Sequence, residues 1–268
     1  MEDFALTPIH GLPRIAPEQF SRGVDLWCLY HEKIADPGLL EAYENLLTED
    51  EQVRYQSFHF EGDRLMFLAT RALVRTALSA YVDVPPSRWR FAEGVRGKPY
   101  IKEPLGLPPL YFNLSNTRGL VVCAVSHAYD QVGVDTEWLD RNGETVSLAD
   151  RHFSQAELRA MRALPAARRR DRFFHYWTLK ESYIKARGLG LALPLEKFSF
   201  LFDDALRIRI AFDPTFGDDP RRWRFALLSA PRSRIVAVAV NTHGQPLVLA
   251  ASNYVPLQGT CPFERSTS

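Results

Sequence analysis

Two acidic side chains stand two residues apart in an otherwise apolar, strand-prone run, Gly133-Val134-Asp135-Thr136-Glu137. On an extended segment residues two apart point to the same side, so a strand over 132–137 makes the two carboxylates converge. Like charges that close repel. Beside an apolar strand the pair is tolerable only when a cation, a proton or a basic side chain compensates it, and a hard divalent ion is one good candidate.

A third carboxylate follows on a helix. Residues 171–187 contain neither proline nor glycine, end on a basic residue and stop at Gly188, which together predict a helix and its C-terminus. On that helix Thr178, Glu181 and Lys185 share one face, beside an apolar stripe of Phe173, Trp177 and Ile184. Strand pair and helix face thus offer three oxygen ligands, Asp135, Glu137 and Glu181, next to an ammonium group. Magnesium takes a few carboxylates, keeps waters and fills its remaining positions with phosphate oxygens, which suits chemistry on a pyrophosphate. The same residues have a plainer reading: glutamate four before lysine is the favourable orientation of a surface ion pair worth about 0.2–0.5 kcal/mol, and strand carboxylates are often solvated.

The two segments resemble the signature pair of 4′-phosphopantetheinyl transferases, of the monomeric two-lobed type similar to the surfactin-synthetase activator. That pair is a G-V/I-D-x-E strand and a W-x-x-K-E-S/A-x-x-K helix, here Trp177-Thr178-Leu179-Lys180-Glu181-Ser182-Tyr183-Ile184-Lys185. The match continues through Ala186, Gly188, Gly190 and Leu191 into Pro194-Leu195 and Phe198. Upstream, Arg96-Gly97-Lys98-Pro99 resembles the family's basic turn, and Phe112-Asn113-Leu114-Ser115-Asn116-Thr117 resembles its F-N-x-S-H-S/T strand end. Arg54 and Arg64 stand where the family has arginines that meet coenzyme A. One position departs: Asn116 replaces a histidine that contacts a coenzyme A phosphate, and asparagine keeps a donor but carries no charge.

The resemblance implies an α+β fold of two similar lobes related by a pseudo-twofold axis, with the active site in the cleft between them. It also implies transfer of the 4′-phosphopantetheine arm from coenzyme A to a serine of an acyl or peptidyl carrier protein, releasing adenosine 3′,5′-bisphosphate. By that implication Asp135, Glu137 and Glu181 hold Mg2+, while Lys180 and Lys185 neutralise phosphate oxygens or steady the leaving group. Glu181 accepts the serine proton, either directly or through a metal-bound water, and Arg54, Arg64, Lys98 and Ser115, with Asn116, hold the nucleotide end. A protein that binds coenzyme A without transferring its arm could lose a metal carboxylate, but all three stand here. A carboxylate-pair glycosidase would leave the two lysines beside Glu181 unexplained.

Composition agrees with a globular enzyme, since 46% of the 268 residues are hydrophobic, 17 Phe and 5 Trp among them. Cys28, Cys123 and Cys261 lie too far apart for a paired framework or a metal motif, which suits a reducing cytoplasm. Neither a leader-like N-terminus nor an apolar run of about 20 residues is present, so no membrane span is expected. A net charge of +1 gives no general attraction to nucleic acid. Arg168-Arg169-Arg170 lacks the aromatic platform nucleic-acid binding would need and reads instead as a docking patch for an acidic protein.

The pattern divides the chain into an N-terminal lobe over 1–129 for coenzyme A and carrier contacts, a C-terminal lobe over 130–252 with the metal and catalytic residues, and a flexible tail over 253–268. A chain holding both lobes needs no partner to complete a site, so a monomer is expected. Capping boxes at Thr48/Glu51 and Ser154/Glu157 predict helix starts. A long helix over 63–82 carries Arg64, Arg71 and Arg75 on one face, the latter two read as solvated. Strands are expected at 24–30, 110–114, 120–126, 198–202, 206–212, 223–228, 235–240 and 247–251, with a turn at 115–119 and no repeat visible in the sequence.

Overall fold

The computed structural model describes residues 23–142, 145–203 and 207–262. The described residues form two compact units, one of 23–94, 99–130 and 248–262, the other of 95–98 and those within 131–247.

In the first unit, β1 (Val24–Leu29) leads through α1 (Pro37–Glu44), α2 (Glu49–Ser57) and α3 (Glu61–Ser79) to two hairpins. These are β2 (Arg90–Glu93) with β3 (Pro99–Glu103), and β4 (Tyr111–Thr117) with β5 (Leu120–Ser126). Local chemistry sets the helix starts. Asp36 caps α1 by accepting from the Gly38 amide, with Pro37 in the first turn. The capping box of α2 forms in both directions, Thr48 Oγ1 accepting from the Glu51 amide and the Thr48 amide donating to Glu51. The apolar side of α3, with Leu68, Ala69, Ala72 and Leu73 buried, packs on β5, β1 and β4.

The second unit repeats that order. β6 (Val132–Trp138) is followed by α4 (Thr145–His152), α5 (Gln155–Arg162) and α6 (Ala166–Arg187), then by the hairpins β7 (Phe198–Phe202) with β8 (Ile208–Phe212) and β9 (Trp223–Ala230) with β10 (Arg234–Asn241). In each unit the opening strand pairs antiparallel with the last hairpin strand, β1 with β5 and β6 with β10. Topology repeats where sequence does not, because the cores are filled differently. α3 presents alanines and leucines to its sheet, whereas α6 brings Phe173, Phe174, Tyr176 and Tyr183.

Several expectations need correction. Residues 253–262 are not a flexible tail. β11 (Leu249–Val255) pairs parallel with β1, and β12 (Gly259–Pro262) pairs antiparallel with β11, giving a sheet ordered β12-β11-β1-β5-β4. The added strands cover an edge of β1, and Tyr254 packs edge-on against Trp27, ring centres 4.8 Å apart. Residues 1–22 and 263–268 lie outside the described residues, as does Leu206 at the expected start of β8. β4 extends to Thr117, so the turn shrinks to Arg118-Gly119, where Gly119 has φ 75°. Arg71 and Arg75 are not solvated. Glu51, the capping-box acid, pairs with both, and Arg75 is wholly buried at 2.5 Å from it. α6 begins earlier than expected, after Pro165, and takes in Arg168 to Arg170. Arg169 donates to the carbonyls of Leu164 and Arg162, and Arg170 to those of Leu139 and Arg141, so two of the three arginines also secure the local chain.

The contact that places the conspicuous carboxylates is between β6 and α6. A Cβ on Gly133 would lie 2.1 Å from the Ser182 carbonyl oxygen and 2.3 Å from the Ala186 amide nitrogen, so the two backbones touch there and only glycine fits. α6 ends at Gly188, left-handed at φ 62°, whose amide donates to the Ile184 carbonyl. Gly133→Ala should therefore cost about 3 kcal/mol or more, because backbone on both sides must yield. Chemical denaturation checks this; a loss below about 1 kcal/mol would contradict the contact.

Candidate functional site

Asp135, Glu137 and Glu181 line one cavity of about 600 Å³ in the second unit, with Arg141, His152, Trp177 and residues 193–196. β6 supplies the first two from the same side, and both are nearly enclosed, at 6% and 7% exposure. α6 supplies Glu181, half-buried, one turn before Lys185. The plainer reading of these strand carboxylates as solvated is thus set aside.

Burial and crowding demand positive charge, and the site provides some of it. Lys185 Nζ lies 2.7 Å from Asp135 Oδ1, so this lysine pairs across elements. Arg141 Nη1 lies 3.1 Å from Glu137 Oε2. Protons supply more. Burial, and then the charge of Asp135, push the Glu137 carboxyl up to about 7, against the opposing pull of Arg141, Trp177 and Lys185. The same two causes in the same order push Glu181 up to about 6, with Lys185 opposing. A set of hard oxygen donors still short of positive charge fits a cation such as Mg2+. Among the described residues no three His, Cys, Asp or Glu side chains already stand close enough together to hold a metal ion. A bound ion would have to draw these carboxylates inward.

Lys180 is not in the cavity. It is wholly buried, and its Nζ donates to the carbonyls of Leu195 and Phe198, each at 2.7 Å, while pairing with Glu157 Oε2 at 2.9 Å. Successive helix residues point about 100° apart, so the neighbour of a cavity-facing Glu181 is turned into the core. Three acceptors satisfy its three N–H groups, leaving none for a phosphate. Its role is to pin α6 to the 195–198 stretch, part of which walls the cavity. Thr178 also faces inward, donating to the Phe174 carbonyl. Trp177 takes its place on the partly open stripe with Glu181 and Lys185, at i, i+4 and i+8.

The residues expected at the nucleotide end belong to both units. Lys98 Nζ donates to the carbonyls of Val132 and Ala186 at 3.1 and 3.0 Å, fastening the 95–98 turn to β6 and the last turn of α6. In the first unit Arg54 is exposed, its guanidinium over the Phe67 ring at 5.4 Å, and Arg64 donates to the Phe58 carbonyl. Ser115 is buried and Asn116 exposed, as consecutive strand residues facing opposite sides of the sheet. The structure therefore unites Asp135, Glu137, Glu181 and Lys185, and leaves Lys180 out. Arg141 and His152 escaped sequence reasoning. Arg141 could have been noticed as a cation four residues beyond Glu137; His152, edge-on to Trp177, carries no spacing signal.

Residues 131–239 match the sequence profile of the 4′-phosphopantetheinyl transferase superfamily, and residues 37–128 match that of the N-terminal region of 4′-phosphopantetheinyl transferases. The chain belongs to this superfamily. It is 38% identical to 4′-phosphopantetheinyl transferase HetI of Nostoc sp. over 204 residues, 74% of this chain and 80% of that protein. To 4′-phosphopantetheinyl transferase Sfp of Bacillus subtilis it is 31% identical over 159 residues, 59% of this chain and 68% of the other. A crystal structure of Thermotoga maritima holo-[acyl-carrier-protein] synthase corresponds to 42% of this chain and 62% of its own at 26% identity, with a TM-score of 0.36, too loose to bear on the site. This phosphopantetheinyl transferase is accordingly an enzyme, and none of its described helices is long and apolar enough to cross a membrane.

The raised carboxyls make a pH prediction for the metal-free transferase. Glu137 binds its proton more tightly folded than unfolded, so its contribution favours the fold at low pH and is lost as pH rises from about 4.5 to about 7. Glu137→Gln should match the parent's thermal stability near about pH 5 and exceed it near about pH 8, by on the order of 2 kcal/mol. A gap that does not change with pH would contradict the shift. Lys180→Met, by contrast, should cost about 3–5 kcal/mol at neutral pH by stranding Glu157 in the core. A variant of parental stability in urea denaturation would show that the pair is not structural.

Proposed function

We propose that this transferase moves the 4′-phosphopantetheine arm of coenzyme A to the serine hydroxyl of an acyl or peptidyl carrier protein in a Mg2+-dependent reaction, releasing adenosine 3′,5′-bisphosphate. The observation that supports it most is the gathering of Asp135, Glu137 and Glu181 on one cavity in a member of the superfamily. These carboxylates would hold the ion, which when bound supplies charge at the pyrophosphate and polarises the attacked phosphorus.

Phosphoryl chemistry otherwise asks for positioning and for charge where it develops. Lys185, whose ammonium reaches Asp135 and is partly open to solvent, neutralises phosphate oxygens during transfer. Glu181 accepts the serine proton on one carboxylate oxygen, a role that suits a group whose proton affinity burial has raised towards neutrality. The serine oxygen then bonds to the pantetheine phosphorus as the bond to the nucleotide phosphate breaks. Arg54, Arg64, Lys98, Ser115 and Asn116 are assigned to the nucleotide end. The enzyme is read as a cytoplasmic monomer, in keeping with the free thiols of Cys28 and Cys123. A protein that only binds coenzyme A is not favoured, because all three carboxylates reach the cavity.

Mass spectrometry of an apo carrier protein incubated with enzyme, coenzyme A and Mg2+ tests the reading. The parent should add the phosphopantetheine arm, and Glu181→Gln should do so roughly a hundredfold more slowly. Parental rates in that variant would overturn the assignment of Glu181.

A further inference from the structure

We propose that Arg141 is a resident counter-cation of the carboxylate cavity that gives up Glu137 when a divalent ion binds and passes to a phosphate oxygen of the incoming pyrophosphate. The inference rests on the metal reading above and adds a residue to it.

The ion pair is lopsided. Glu137 is held near the end of β6, in register with Ile235 of β10, with its side chain 10% exposed, whereas the Arg141 side chain, 3.1 Å away, is 40% exposed. One end is fixed and the other can leave. The root of the arginine is fixed too, because Arg170 donates to the backbone carbonyls of both Leu139 and Arg141, while among the described residues the Arg141 guanidinium makes only a ring contact with Phe174, at 5.2 Å, besides its pair with Glu137. The guanidinium is therefore a tip on an anchored stem, and it lines the same cavity as the carboxylates.

A divalent ion and a guanidinium cannot share one enclosed carboxylate without strong mutual repulsion. Arg141 and the ion are competitors for Glu137. Before loading, the arginine compensates Glu137 as Lys185 compensates Asp135. After loading, its planar donors are unpaired beside the space where phosphate oxygens must come, and they match such oxygens two at a time. Lys185 is placed differently, on Asp135, and its point charge lacks that fork. An ordinary i, i+4 surface pair would be worth little and would affect neither ligand. Exchange instead makes the effects of Arg141 on ion and on pyrophosphate opposite in sign.

The test compares the parent with Arg141→Gln and Arg141→Lys. Mn2+ binding without coenzyme A is read from the free-ion signal in electron paramagnetic resonance, and coenzyme A binding at saturating Mn2+ is read by calorimetry. Arg141→Gln should bind the bare ion roughly fivefold or more tighter and coenzyme A roughly fivefold or more weaker, the scale of a modest coupling between sites. Arg141→Lys, which keeps charge without the fork, should stay near the parent for the ion and lose affinity for coenzyme A, and it carries the test should the glutamine variant fail to fold. Bare-ion binding that is unchanged or weaker in Arg141→Gln, or coenzyme A binding that is unchanged in both variants, would overturn the exchange. A parent that takes up no ion even with coenzyme A present would overturn the metal reading itself, and the exchange with it.

Discussion

Everything distinctive about the site depends on two backbones touching at Gly133. Because no side chain separates β6 from α6 there, the carboxylates of the strand and the Glu181–Lys185 stripe of the helix are brought onto one cavity. A wider strand–helix separation would put water between them and let each carboxylate ionise alone. The closeness creates the electrostatic problem that the rest of the site answers.

The answer comes in parts of different mobility. Lys185 sits on Asp135, Arg141 on Glu137, and the proton affinities of Glu137 and Glu181 are raised because burial and neighbouring charge both disfavour ionisation. Each of these can be exchanged for a harder cation, which is what makes the arrangement suited to receiving one. The frame around it is rigid for a different reason. Lys180 ties α6 to residues 195–198 and Glu157, and Glu157 at once closes the capping box of α5 and accepts from the Phe200 amide. A buried charge with every donor satisfied thus holds one wall of the cavity against the helix that supplies Glu181.

Much of this was legible in the sequence where the signal is local. Both capping boxes form at Thr48/Glu51 and Ser154/Glu157, and the alternation at 132–137 does place two carboxylates together. What failed was non-local. The pairing of β11 with β1 joins residues more than two hundred apart, and the apolar run expected as a strand over 247–251 carries no sign of its partner or of its continuation to Val255. α6 is buried on most sides, so its apolar period is blurred, and Lys180, Thr178 and Trp177 could not be assigned to the correct face. Arg75 was read as solvated because its counter-ion, Glu51, lies on another helix. The family resemblance supplied the set of residues, and only the fold could separate Glu181, which faces the cavity, from its neighbour Lys180, which does not.

The central claim is that the three carboxylates are crowded before any ion arrives, and the direct measurement is a side-chain carboxyl 13C titration of the metal-free enzyme. The Glu137 and Glu181 carboxyls should titrate near 7 and 6, and both should fall well below those values when Mg2+ and coenzyme A are added together. Two carboxyls titrating near the ordinary value of about 4.5, and unmoved by the ion, would contradict it.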